Sequence, residues 1–413
     1  MKVAWKKRFK PQVILDKISE IMNINEDGSI SYSGFKYFEL KATLYNMLTF
    51  PKHLTSIQNN GLVDRAITET VKSSSLTPNN LIKELQELFK KELNKKEKKY
   101  HLLSSISLVD PLPFKQINIG KSKIRFIASN YPKKYNDRKE LIKKSRRRYS
   151  MLQIPHAGYT NIIITTKSKS EHQAASQCLD DIDLLRSLMS IFANSGMEIV
   201  GNEWSPINKI RLGELHTLHK ASGKNINLDT FWFEPNFEYI NPYRLDTKKN
   251  KTFIKNIKWV IKQLEKCKYS NKLESALLRY VRAFDERDQN IALLHIWGAL
   301  ESITAYEENS KDKLPKRCAY LFSEYEYHKQ ILEHLREYRN QSVHAGDKND
   351  QVKSYCYQLQ GYFIEIIFFH LHRVNQFNTL EEANSFLDQP VEIKQLKYKR
   401  DLLNSVIKFR GGE

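Results

Sequence analysis

Cysteine, glycine and proline are all sparse in this chain, and their placement rules out several familiar sites. Four cysteines among 413 residues, Cys178, Cys267, Cys318 and Cys356, stand far apart and never as Cys-x-x-Cys. That spacing argues against a zinc ribbon, an iron–sulfur site and a redox dithiol, and assigns all four to small apolar core positions in a reducing compartment. The chain has no glycine-rich phosphate loop, no Gly-x-Ser-x-Gly elbow and no kinase signature, so it does not read as an NTPase, an α/β-hydrolase or a kinase. Long apolar runs are missing as well. The most apolar stretch, 362–371, is interrupted by Glu365 and His370 and is too short to span a bilayer, which predicts a buried helix and no membrane partner. The opening residues Met1 to Arg8 are basic but lead into no apolar segment, so they do not read as a secretory signal, and the expected location is cytoplasmic.

Positive charge, by contrast, is abundant. A formal net charge of +20 and a pI near 9.5 favour a polyanionic partner, because each cation placed on a phosphate releases a counterion. Lysine, asparagine, isoleucine and tyrosine are all frequent, as an AT-rich genome produces, and codon bias accounts for part of the same excess. The densest basic patch runs from Lys133 and Lys134 through Arg138, Lys139, Lys143 and Lys144 to Arg146, Arg147 and Arg148. Tyr135 and Tyr149 interleave with it. The patch fits an RNA-binding surface where bases stack on tyrosines, and it fits a solvated loop at least as well.

Hydrophobic periodicity divides the chain into three parts. Residues 1–100 form a helical subdomain, with Thr77-Pro78 as the start signal of a helix through 81–89. Residues 101–245 form a mixed α/β region that senses or positions: strands are expected over 102–109, 117–127, 161–166 and 210–218, with one helix over 174–191. Residues 246–413 read as helices almost throughout, over 253–267, 273–284, 290–306, 328–344 and 353–374, with Thr379 and Glu382 at capping-box spacing before a last helical segment. The fold class expected is α+β, a mixed N-terminal region followed by an all-α bundle.

Chemistry concentrates in Arg339-Asn340-Gln341-Ser342-Val343-His344, at the end of a helix that Gly346 is placed to terminate. A guanidinium, an amide and an imidazole together can hold a phosphate and move a proton. On an ideal helix Arg336, Asn340 and His344 follow one another on one side, whereas Arg339 lies about 140° of rotation from His344. A site shared between two chains removes that separation. Taken alone, the motif is also what a helix end with a dipole-stabilised histidine looks like, its arginine paired to Glu333, Glu337 or Asp347. Other histidines are weaker candidates. His216 and His219 fall on opposite faces of a strand, and His370 and His372 sit in an apolar helix, so none reads as a metal ligand.

Context sharpens the motif. The apolar segment 292–303 carries Glu301 on the side of Leu294, Trp297 and Gly298, where a carboxylate needs a partner, and the next helix carries Arg317 ahead of Cys318-Ala319. An apolar helix with Ala-Leu-Glu, a helix with Arg before small residues, then Arg-Asn-x-x-x-His resembles the Apea-like branch of the HEPN superfamily, over residues 252–375. In this chain Ala345 stands between His344 and Gly346, where many members have glycine directly after the histidine. The resemblance implies a dimerising helical bundle and a metal-independent endoribonuclease without cofactor. It implies Arg339 and His344 as catalytic, Asn340 as their polar companion and Glu301 as support. Arg336, Arg317, Arg146, Arg147 and Arg148 are the expected RNA contacts. It also implies a role in anti-phage defence, a toxin acting in abortive infection on tRNA or other host RNA after a phage-derived trigger. The rival expectation is a catalytically silent HEPN module for dimerisation or nucleotide binding, with recognition left to the N-terminal region.

Overall fold

The computed structural model describes residues 2–412 apart from 28, 52–55, 129, 149–157, 199–204, 228–230, 236, 306–312 and 346–350, and leaves out the side chains of 56–58, 145–148 and 343–345. The fold is α+β, a mixed N-terminal region followed by helices. The chain divides into two compact units, one of 1–102, 165–178 and 218–227, the other of 103–164, 179–217 and 228–413.

The first unit opens with short strand β1 (Ala4–Trp5), helix α1 (Pro11–Glu20), the hairpin of β2 (Met22–Ile24) and β3 (Ile30–Tyr32), helix α2 (Lys36–Asn46) and β4 (Leu48–Thr49), which pairs antiparallel with β1. Helices α3 (Ser56–Ser73) and α4 (Pro78–Leu93) follow. Thr77 caps α4 through its side chain, accepting from the Asn80 N–H, and Pro78 takes the first helical position where no N–H is needed. Leu81, Leu85 and Leu88 are buried at three- and four-residue spacing beside Leu15, Leu44 and Ala66.

Strands β5 (Lys98–Ile106), β6 (Leu108–Val109), β7 (Gln116–Ile119) and β8 (Ser122–Ile127) come next, then a 3-10 turn (Lys133–Tyr135), helix α5 (Asp137–Arg148), β9 (Thr160–Ser168), helix α6 (Glu171–Ala193), β10 (Leu215–Lys220), β11 (Trp232–Phe233) and β12 (Tyr243–Arg244). Six of them form one sheet in the order β11-β10-β5-β9-β8-β7, and β12 pairs parallel with β6. The division between units falls within β5, β9, β10 and α6. The stretch expected as a strand over 117–127 is a hairpin, turning at Gly120, whose φ of +54° favours glycine. A side chain there would run into the Asp181 carboxylate. Strand pairing of 210–218 begins late, at Leu215, with Leu212 contributing only an isolated bridge.

In the second unit, helices α7 (Asn250–Lys266), α8 (Ser270–Ala283), α9 (Gln289–Thr304), α10 (Leu314–Ala319), α11 (Tyr325–Ala345), α12 (Val352–His372), α13 (Leu380–Leu387) and α14 (Ile393–Phe409) complete the chain. Helix α9 is central, with α8, α10, α11 and α12 all packed on it, which is why its sequence is apolar nearly all round. Segment 362–371 lies within α12, buried as its composition requires, and among the described residues no helix is long and apolar enough to cross a membrane. All four cysteines are free and buried, and burial pushes the Cys318 thiol up to about 12.

Candidate functional site

Helix α9 delivers Glu301 to its last turn, where the helix passes from the core to a half-buried face against α11. Asp288 caps the other end by accepting from the Asn290 N–H, and Trp297, almost fully buried, stands one turn before Glu301. The Trp297 indole N–H donates to Glu301 Oε1 at 2.8 Å, so the carboxylate is held before any charge reaches it. Arg339 supplies that charge. Its Nη2 lies 3.7 Å from the same Oε1, while its Nη1 donates to Asn340 Oδ1 at 3.0 Å. The third nitrogen, Nε, is buried without a partner among the described residues. A guanidinium placed this way is oriented by a carboxylate and an amide, with one of its five N–H donors taken by Asn340.

Helix α11 holds Arg339 in place through the seam expected for it. Leu332 and Leu335 are fully buried, and the Tyr338 hydroxyl donates to Asn290 Oδ1 at 2.8 Å, tying α11 to the start of α9. Among the described residues Arg339 pairs with neither Glu333 nor Glu337, and Asp347 lies outside them. Arg336 takes Glu333 instead, at 2.5 Å, and Arg339 turns to Glu301 of α9. His344 belongs to the last turn of α11, and its side chain lies outside the described residues.

Arg317 is placed away from this cluster. It is 2% exposed, donates from Nε and Nη2 to both oxygens of Asp388 at 2.8 and 2.6 Å, and donates from Nη1 to the Thr304 carbonyl. Those bonds fasten α10 to the end of α9 and to the C-cap of α13 and leave Arg317 itself unavailable to RNA. Over 133–148 the basic patch is a 3-10 turn and a helix rather than a loop. Lys133, Lys134, Lys139, Lys143 and Lys144 face solvent, but Tyr135 and Arg138 are buried, and the side chains of Arg146, Arg147 and Arg148 lie outside the described residues, as does Tyr149. His216 and His219 serve local bonds: His216 lies between the Ser104 hydroxyl, 2.7 Å away, and Glu234, 3.2 Å away, and His219 contacts the Gly223 carbonyl at 2.8 Å. Among the described residues no group of histidine, cysteine, aspartate and glutamate side chains could hold a metal ion.

Sequence periodicity did not single out a buried charge cluster that joins α6, α8 and the sheet. Arg186, fully buried, pairs with Asp183 at 2.7 Å and Asp285 at 2.8 Å, and Arg282 pairs with Asp183 at 2.5 Å and with Glu234. Burial drives the Glu234 carboxyl up, but the His216 hydrogen bond and the nearby arginines outweigh it and hold the group at about 2. The available signal was the Asp183–Arg186 spacing of three inside an apolar helix, where charges survive only as pairs. No family model, curated protein or solved structure shows significant similarity to this chain.

Proposed function

We propose that the chain is a metal-independent endoribonuclease of the HEPN type, acting in the cytoplasm as a homodimer on tRNA or other host RNA, in defence against phage. The reading is supported by the approach of Arg339 to Glu301, two residues distant in sequence that belong to the first and last parts of the ordered signature. In the reaction proposed, His344 takes the proton of a ribose 2′-hydroxyl, the 2′-oxygen bonds to phosphorus, and the bond from phosphorus to the 5′-oxygen breaks. The protonated imidazole then delivers its proton to the departing 5′-oxygen, leaving a 2′,3′-cyclic phosphate and a 5′-hydroxyl. Arg339 offsets the charge that accumulates on the phosphoryl oxygens, with Glu301 and Asn340 orienting its plane. Arg336, half-buried and paired to Glu333, would meet a neighbouring phosphate from about one helical turn away.

The deciding experiment incubates the purified chain with total RNA and EDTA, with and without extract of phage-infected cells. Products ending in 2′,3′-cyclic phosphate are expected from wild type and not from Arg339→Ala or His344→Ala. RNA left equally intact by all three in the presence of the infected extract would rule the nuclease out.

A further inference from the structure

Among the described residues, buried arginines come with carboxylates, with one exception. Arg186 and Arg211 face Asp285, and Arg317 is clasped by Asp388. Arg138, on the inward side of α5 and 5% exposed, has no acidic partner among the described residues. Its Nη1 donates to the Leu103 carbonyl at 3.2 Å and the Thr217 hydroxyl at 2.6 Å, its Nη2 donates to the Leu215 carbonyl at 3.0 Å, and the guanidinium stands 5.4 Å from the Tyr131 ring centre. Three of its five N–H donors go to neutral acceptors, which leaves its charge uncompensated. A buried unpaired cation is costly, and loss of solvation alone lowers its pKa.

That arginine lines a cleft of about 740 Å³, formed where β8 ends, α5 begins and β9 starts. The volume falls within the range of small-molecule sites. Lys139 and Arg244, both exposed, join Arg138 in the wall, and among the described residues Asp110, whose carbonyl accepts from Arg244 Nη1 at 2.6 Å, is the one acidic residue of the lining. The lining therefore has an excess of positive charge. The remaining wall mixes aliphatic side chains, among them Leu112, Ile127 and Ile142, with the tyrosines Tyr131, Tyr135 and Tyr159 and the amides Asn130, Asn136 and Asn161. The Tyr131 hydroxyl donates to the Ser104 carbonyl, and the Tyr159 hydroxyl accepts from the Ile240 N–H at 3.2 Å, so both rings are fixed from behind.

We propose that this cleft binds a free nucleoside phosphate. Lys139 and Arg244 answer the phosphate, the half-buried rings of Tyr131 and Tyr159 offer surface to a planar base, and the exposed Asn130 and Asn136 each present a donor and an acceptor to a base edge. A bare inorganic anion uses only the first of these. The proposal concerns a site apart from Arg339 and Glu301 and does not depend on RNA being cleaved.

The test measures thermal melting and titration calorimetry of the full chain with ATP, GTP, CTP and UTP, against inorganic phosphate and tripolyphosphate. At about a hundred times its Kd a bound nucleotide should raise the melting temperature by about 3 °C. Lys139 and Arg244 are exposed and the side-chain bond lost among the described residues is that from Arg244 to the Asp110 carbonyl, so the Lys139→Ala/Arg244→Ala double variant should melt within about 2 °C of wild type without ligand and bind the nucleotide at least about tenfold more weakly. Asn136→Ala should narrow the preference among the four bases. The proposal falls if none of the four nucleotides shifts melting, if tripolyphosphate shifts it as far as they do, or if the double variant binds as wild type does.

Discussion

Glu301 Oε1 is shared by an indole N–H and a guanidinium, and that sharing sets what each neighbouring substitution should do. Glu301→Gln keeps an acceptor for Trp297 and removes the charge facing Arg339, so RNA cleavage should fall by roughly tenfold while melting stays near wild type. Arg339→Lys keeps the charge but loses the planar fork, and should fall further, by about 10²-fold. Initial rates on one RNA would check both, and a Glu301→Gln enzyme as fast as wild type would remove Glu301 from the positioning of Arg339. Arg317 serves stability instead. Asp388→Ala strands a buried guanidinium and should cost about 2 kcal/mol in urea unfolding, and adding Arg317→Met should restore part of it. At this scale the sequence carried the need of Glu301 for a partner, because a carboxylate in an apolar helix must be compensated. It did not carry the partner of Arg317, because Asp388 lies far along the chain and no local spacing links them.

Elements were legible wherever capping and periodicity agree. Thr77 and Thr379 both cap as their positions imply, Thr379 accepting from the Glu382 N–H at 3.2 Å. The returning bond of that second box goes from the Asn378 N–H to Glu382, 2.6 Å away, one residue ahead of the cap. Helix α5 was missed because a run of cations has no apolar stripe; Arg138 and Leu141 form its inward side instead. At the β7–β8 turn, Gly120→Ala would place a side chain against Asp181 at positive φ, and should destabilise the chain by about 1–3 kcal/mol in the same unfolding assay. Helix α12 carries a pH dependence. Burial lowers the His370 pKa from 6.5 to about 3, with the Tyr269 hydroxyl 3.0 Å from its Nδ1. Because the folded pKa is the lower one, the unfolded chain binds the extra proton between pH 6.5 and about 3, and stability falls as pH drops through that window. The slope from this one group approaches about 1.4 kcal/mol per pH unit. His370→Gln should flatten the dependence between pH 6 and 4, as denaturant midpoints at several pH values would show.

For the whole molecule, the proposed dimer makes a distinctive forecast. If Arg339 of one chain works with His344 of its partner, the two inactive variants Arg339→Ala and His344→Ala should complement when mixed. Random exchange would give heterodimers with one intact site, and about a quarter of the wild-type rate. A mixture as inactive as its components would place both residues of each site in one chain. Helix α14 stands apart from the packing. None of its residues is buried, so a chain ending at residue 390 should melt within about 1 °C of the full one.

What the sequence determined by itself is the succession of the C-terminal helices, the class α+β, the burial of four cysteines and the two helices that carry Glu301 and the Arg339-Asn340 pair. Each of these follows from local rules: period, caps and the cost of a charge among apolar residues. Only the tertiary structure decided which distant groups meet. It turned Arg339 from its own helix to Glu301, took Arg317 inward to Asp388, gathered Asp183, Arg186, Glu234, Arg282 and Asp285 into one buried cluster, and set Arg138 beside a cleft with no acid to pair it among the described residues. Long-range pairing of charge is set by how helices and sheet pack, and no local pattern records it.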